Sequence, residues 1–196
     1  MRHLPVAPQR SRKEEVIDAV ASIFAARGFH GVGTREIAET LGMKAGSLYF
    51  YFRSKEEALE LICEAGFKHS LEIANRAYSE NHGLEDRLKA LVMLSAAQTR
   101  DAGDHLMVLL TERRHLSADS EARMKKLSRE YSNVIGQIME DAAVDGDLCQ
   151  TIDARSARLI AVGHLRMLSQ YFVERIRDFD VFALAAAEAL VRALRR

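Results

Sequence analysis

Lys44-Ala45-Gly46-Ser47, followed by Tyr49 and Tyr51, sets a cation, a hydroxyl and two phenols close behind a glycine at position 42. Side chains of these types suit DNA. An ammonium pairs with guanine O6/N7 or with a phosphate, and phenols donate to phosphate oxygens. Ala45 can meet a thymine methyl, and Gly46 lets the backbone come close. Thr34 offers a hydroxyl at a helix start, where free N–H groups and the positive dipole end favour a phosphate; a plain N-cap uses the same hydroxyl. Lys55 falls in the first turn of a later helix, against the preference for acids there, a misfit that a phosphate at that end explains. Leu48 and Phe52, four apart, face a core, while Phe50 fits either side. Three neighbouring aromatics also resemble a single-strand stacking platform, but the helical punctuation around them speaks against it.

The elements that must position these residues follow from periodicity. Val16, Ile17, Val20, Ile23 and Phe24 recur at helical spacing between Ser11 and Gly28, which predicts a helix over 11–27 with Gly28 as a left-handed C-cap. Thr34 is expected to cap a second helix, with Ile37, Ala38 and Leu41 inward. Gly42 then makes the turn, and a third helix starts near Ala45. Ser54-Lys55-Glu56-Glu57 has the form of a capping box and opens a fourth. Two short helices about a tight turn make a helix-turn-helix, which lays its second helix in a major groove. Helical patterns continue over 54–81, 84–101, 103–115, 118–145, 153–176 and 179–195, with Ser117 and Asp153 as N-caps. The expected fold is all-α. A helix-turn-helix domain over 1–55, with a flexible N-terminal arm, joins through a shared helix to a helical domain over 56–196.

Composition narrows the classes. The 196 residues carry no net charge, but 1–55 hold nine Lys/Arg against five Asp/Glu, while 56–196 hold nineteen against twenty-three. A basic front and an acidic back point one end at phosphate. Cys63 and Cys149 match no metal or CxxC spacing and read as reduced thiols. His105, His115 and His164, with Asp101 and Asp104, fall in no metal motif. Glu112 and His115 form an acid–base pair with no nucleophile or oxyanion donor beside it, so neither an enzyme nor a cofactor is expected. No apolar leader and no membrane-length apolar run appear, so the expectation is a cytoplasmic protein without a membrane partner.

Between Val181 and Leu194 only Glu188 and Arg192 are charged. A helix apolar nearly all round needs cover on more than one side. The last two helices are therefore expected to form a homodimer through Ile160, Leu168, Tyr171, Leu184, Leu190 and Val191. Gly66, Gly136 and Gly163 interrupt helical patterns at about 1 kcal/mol each relative to alanine, marking close helix contact or a bend near a ligand.

Ile23-Phe24, Gly28-Phe29, Thr34, Ile37-Ala38, Leu41-Gly42, Gly46-Ser47-Leu48-Tyr49, Tyr51-Phe52, Ser54-Lys55 and Leu59 together resemble the N-terminal domain of the tetracycline-repressor (TetR) family of transcriptional regulators. The resemblance implies a homodimer on a double-stranded DNA operator, with Thr34, Lys44, Ser47, Tyr49, Tyr51 and Lys55 at contact positions. Position 51 is often histidine in that family. It also implies repression relieved by a small-molecule effector in the C-terminal part. Leu109 to Ser117, Arg129-Glu130-Tyr131, Asp145 to Leu148 and Asp153 are similar to the subgroup linked to fatty-acid and steroid degradation, whose members often respond to acyl-CoA thioesters. Phe67, Met93, Leu94, Leu110, Ile135, Met139 and Met167 suit an adaptable apolar lining, and Arg113 or Arg114 an anionic end. Ordinary core packing and surface ion pairing account for the same residues. An activator, or a DNA binder without an effector, satisfies the pattern as well.

Overall fold

The computed structural model describes residues 11–101, 103–173 and 178–196, without the side chains of 101 and 171–173. These residues form nine α-helices: α1 Arg12–Arg27, α2 Thr34–Thr40, α3 Ala45–Leu48, α4 Lys55–Ser79, α5 Gly83–Asp101, α6 Gly103–Thr111, α7 Ala118–Asp145, α8 Ala154–Val173 and α9 Phe179–Leu194. A single 3-10 turn, Arg113–His115, links α6 to α7. Among the described residues the one β-type pairing is an isolated bridge between Leu148 and Arg195. The chain is all-α, as the periodicity predicts.

The starts of the helices follow their caps. Ser11 accepts from the Glu14 N–H at 3.3 Å, and Glu14 reaches back to the Ser11 N–H at 2.7 Å. Ser54 accepts from Glu57 and Ser117 from Ser120, each at 3.2 Å. The second helix differs from expectation. Gly33 is its N-cap and donates its N–H to Glu36 at 2.7 Å, because Thr34 already has helical geometry. The pattern over 103–115 also breaks, with the α-helix ending at Thr111 and the last turn tightening to 3-10. Gly42 lies at φ +62°, a conformation that side chains other than glycine rarely take.

Two apolar cores run along the molecule. The first gathers α1, α2, Leu48, Phe52 and the first half of α4, and Leu106, Val108, Leu109 and Met124 close it from α6 and α7. The second gathers the far half of α4 with α5, α7, α8, α9 and Leu148. Helix α4 contributes to both. Gly66 on α4 is where α6 comes close: a Cβ there would lie 3.3 Å from the His105 carbonyl oxygen. On the α1 side of α6, His105 Nε2 lies 3.4 Å from Asp18, and Ser22 donates to Asp104. Burial of each large apolar side chain contributes about 1.5–3 kcal/mol, so the two cores bind α4 firmly at both ends.

Candidate nucleic-acid interface and ligand cavity

Helix α3 has only four residues, and the core fixes which way it faces. Leu48 and Phe52 are buried, at 1% and 2% exposed, and anchor it in the first core. The opposite edge therefore faces outward. Lys44, the N-cap of α3, is exposed, as are Ala45 and Gly46; Ser47 is half-buried. Tyr49 is 53% and Phe50 88% exposed. Phe50, ambiguous from spacing, is thus the most open large apolar residue of this edge. Tyr51 is half-buried against the first core, and its phenol lies beside the Arg12 guanidinium, which also pairs with Glu15 at 2.8 Å. Thr34 is half-buried at the first turn of α2. A small, polar, aromatic and cationic edge on an anchored helix can enter a groove without cost to the core.

Lys55 has a different occupation from the one its sequence position implies. Its ammonium donates to the carbonyls of Phe29 at 2.8 Å and Val32 at 3.1 Å, and lies 4.4 Å from the Phe29 ring centre. The misfit at the start of α4 is resolved inside the protein: Lys55 pins α4 to the α1–α2 loop.

That same loop is gripped from the other side. The Phe29 N–H donates to the buried Glu112 carboxylate at 3.1 Å. The His115 ring stacks on Phe29 with centres 5.6 Å apart, and His115 Nδ1 meets His30 Nε2 at 3.1 Å. Arg114 Nε donates to His115 Nε2 at 3.1 Å. Glu112 and His115 thus hold the N-terminal unit, while the two residues between them face elsewhere.

Arg113 and Arg114 lie on the wall of a half-open cavity of about 450 Å³ lined by α4 to α8. Its apolar wall is Phe67, Leu106, Leu109, Leu110, Val162 and Leu165; its polar wall is Ser70, Ser95, Gln98, Glu121, Ser128, Tyr131, Arg166 and Ser169. Arg113 makes a two-pronged pair with Glu121, at 2.9 and 3.0 Å, and rests 5.1 Å from the Phe67 ring centre. The pairing holds the Glu121 carboxyl below its usual range. Burial pushes the Tyr131 phenol upward, so it stays a neutral donor.

Of the residues expected on a ligand wall, Phe67, Leu110, Arg113 and Arg114 are there. Ile135 and Met139 are fully buried in the second core instead, and Leu94 packs against that core. Met93 is half-buried off the cavity wall, and Met167 points outward, 42% exposed. Periodicity marks an inward face without saying whether that face meets a neighbour or a void. The wall positions missed are mostly polar ones on α5, α7 and α8, whose residue types do not mark an inward face.

The expected dimer residues divide in the same way. Leu168, Leu190 and Val191 are buried in the second core and unavailable to a partner, because α5, α8 and α9 pack on one another there. The Tyr171 side chain lies outside the described residues. Ile160 and Leu184 do face outward, and Leu159, Met167 and Val181 join them as exposed apolar residues of α8 and α9.

Cys63 is buried, which pushes its thiol up to about 12, far from a reactive thiolate. Among the described residues no three His, Cys, Asp or Glu side chains gather as metal ligands would, and no helix is long and apolar enough to cross a membrane.

Comparison with known proteins agrees with this geometry. Residues 16–62 match the family model described as bacterial regulatory proteins, tetR family, and residues 82–174 match a tetracyclin repressor-like C-terminal domain. The HTH-type transcriptional repressor KstR2 of Rhodococcus jostii is 30% identical over 149 residues, 74% of this chain and 72% of that protein. The fatty acid metabolism regulator protein of Bacillus subtilis is 25% identical over 179 residues, 90% of this chain and 91% of that protein. A solved tetR-family regulatory protein from Rhodococcus RHA1 superposes with a TM-score of 0.82 at 27% identity, covering 93% of this chain and 97% of its own.

Proposed function

Because the chain belongs to the tetR family of bacterial regulatory proteins, we propose that it is a ligand-responsive transcriptional repressor acting in the cytoplasm. Residues 1–55 form its DNA-reading domain and 56–196 its effector and dimerisation domain. Two copies join through the outward residues Leu159, Ile160 and Met167 of α8 and Val181 and Leu184 of α9. Each presents the start of α3 to one half-site of a near-palindromic operator, about 34–36 Å apart for successive turns of the groove. Lys44, Ala45, Gly46 and Ser47 approach the bases, while Tyr49, Phe50, Tyr51 and Thr34 meet the backbone. The observation that carries this reading is the outward edge of α3, with Tyr49 and Phe50 exposed and Leu48 beside them buried.

Release follows from the two-sided turn after α6. An effector in the cavity contacts Arg113 and Arg114; the adjoining Glu112 and His115 hold Phe29 and His30. A ligand that repositions this turn shifts the N-terminal unit relative to α4 and spoils the half-site spacing. It acts only as far as it binds the released conformation better than the DNA-bound one. The cavity and the relatives' names support a small hydrophobic or acyl-CoA-type effector.

A mobility-shift titration on the protein's own upstream region tests the reading. Tyr49→Ala is expected to weaken binding at least tenfold with the melting temperature unchanged. Absence of any shift for the folded wild-type protein overturns the proposal.

A further inference from the structure

The cavity wall is not that of a slot for a plain hydrocarbon. Ser70 and Ser169 are turned back on their own helices, donating to the Gly66 and Leu165 carbonyls at 3.0 and 3.1 Å. Four other polar groups differ. Ser95 and Gln98 on α5, and Ser128 and Tyr131 on α7, line the cavity, and their side chains form no hydrogen bond with any described residue. Hydroxyl and amide groups that have no protein partner on the wall of this half-open cavity disfavour a saturated chain, which covers them without replacing their water. A ligand with oxygens at matching positions restores those bonds, and a site built in this way rejects the analogue that lacks them.

Charge supplies the second constraint. Three guanidiniums, Arg113, Arg114 and Arg166, line the cavity with a single carboxylate, Glu121. Glu121 is taken by Arg113 in a two-pronged pair, and Arg114 is steered by its bond to His115. Arg166 on α8 is exposed and has no ion-pair partner among the described residues. It therefore stands where the wall meets solvent with its full donor set open, suited to a carboxylate or phosphate.

Size supplies the third. At about 30 Å³ for each water-sized group, the space holds on the order of fifteen non-hydrogen atoms. That accommodates a medium-length chain or a small ring system, while a nucleotide-bearing head group must remain outside at the arginine rim.

Resting on the effector-responsive reading above, we propose that the ligand is a compact oxygenated organic anion. Its hydroxy- or oxo-bearing body is read by Gln98 and Tyr131, and its anionic end is held by Arg166. A free hydroxy or oxo acid and its coenzyme A thioester share this chemistry.

The test is calorimetric titration of the full-length protein with four probes: decanoate, 3-hydroxydecanoate and the coenzyme A thioester of each. Within the acid pair or the thioester pair, the hydroxylated member is expected to bind at least tenfold more tightly. The pair showing the tighter binding identifies free acid or thioester as the source. Gln98→Leu with Tyr131→Phe should collapse the hydroxyl preference to about onefold while the saturated probe binds no worse. Arg166→Gln should weaken both members of a pair by a similar factor, about tenfold. Equal affinity for saturated and hydroxylated probes in the wild type overturns the proposal, as does absence of binding by all four. So does a preference that survives the double substitution in a protein whose melting temperature is unchanged. Operator binding is measured in parallel: a normal mobility shift with failed ligand binding removes this inference alone, whereas loss of the shift removes the regulator reading.

Discussion

The α3 edge and the cavity between α4 and α8 occupy one chain but are assembled in opposite ways. The edge is made within eight consecutive residues, Lys44 to Tyr51, and its direction is set by Leu48 and Phe52 a turn apart. The cavity needs sixteen residues drawn from five helices and a 3-10 turn between Phe67 and Ser169. One site is a local pattern resting on a dry core. The other is a space that exists only once distant helices have packed. A local site tolerates change around it until its anchor goes, whereas an assembled one responds to small movements of any wall, which suits a sensor.

The sharpest way to break this comparison is to truncate one leucine of each kind. Leu48→Ala removes a buried anchor from a filled core and is expected to cost about 2–5 kcal/mol. Leu110→Ala borders an existing void and is only partly buried, so its cost should stay below about 1.5 kcal/mol. Urea denaturation of both variants measures the difference. Equal losses would mean that the cavity wall is as tightly supported as the edge, and the contrast would fail.

Next in size is the joint between the regions. Glu112→Ala removes the acceptor of the buried Phe29 N–H, at a cost of about 1–3 kcal/mol. Operator affinity should change less than stability, since no residue of the α3 edge is touched. The decisive readout is the effector concentration needed to release operator, which should rise. An unchanged release curve in the destabilised variant would show that the turn after α6 carries no coupling.

Much of the edge was legible because its physics is short-range. Ser11, Ser54 and Ser117 announce helix starts through side chains that bond three residues on, and Gly42 announces a turn. The internal contacts of Lys55 are hidden from the sequence for the converse reason. Its partners are the Phe29 and Val32 carbonyls, more than twenty positions away, and backbone carbonyls leave no trace in residue types. The cavity was half legible. Phe67 and Arg113 stood out by type, but Ile135 and Met139 on the same kind of helical stripe fill the second core. Ser95, Gln98 and Ser128 carry no signal in the sequence, because only the packing of α5 and α7 brings them to the cavity wall. The proposed dimer face shows the same limit: the apolar periodicity of α8 and α9 runs on both sides, and which side is covered by α5 is decided by tertiary packing.

The smallest expected effect separates the inner layer of the C-terminal half from its wet surface. His164 on α8 is half-buried, with Nε2 buried and without a hydrogen-bond partner, while the Ala186 backbone of α9 bonds the ring. Burial dominates and lowers its pKa below the ordinary value of 6.5. The unfolded chain therefore takes up the proton first as pH falls. The stability tied to neutral His164 is complete above the unfolded pKa of about 6.5 and declines as pH drops through it, levelling only below the folded value. Because the ring is partly solvated, the loss should be modest. His164→Gln cannot titrate, so the wild-type and variant curves of unfolding free energy should converge or cross between pH 7.5 and 5.5. Parallel curves across that range would mean that protonated His164 finds water or a partner in the folded state, and that the α8–α9 contact is wetter than its packing implies.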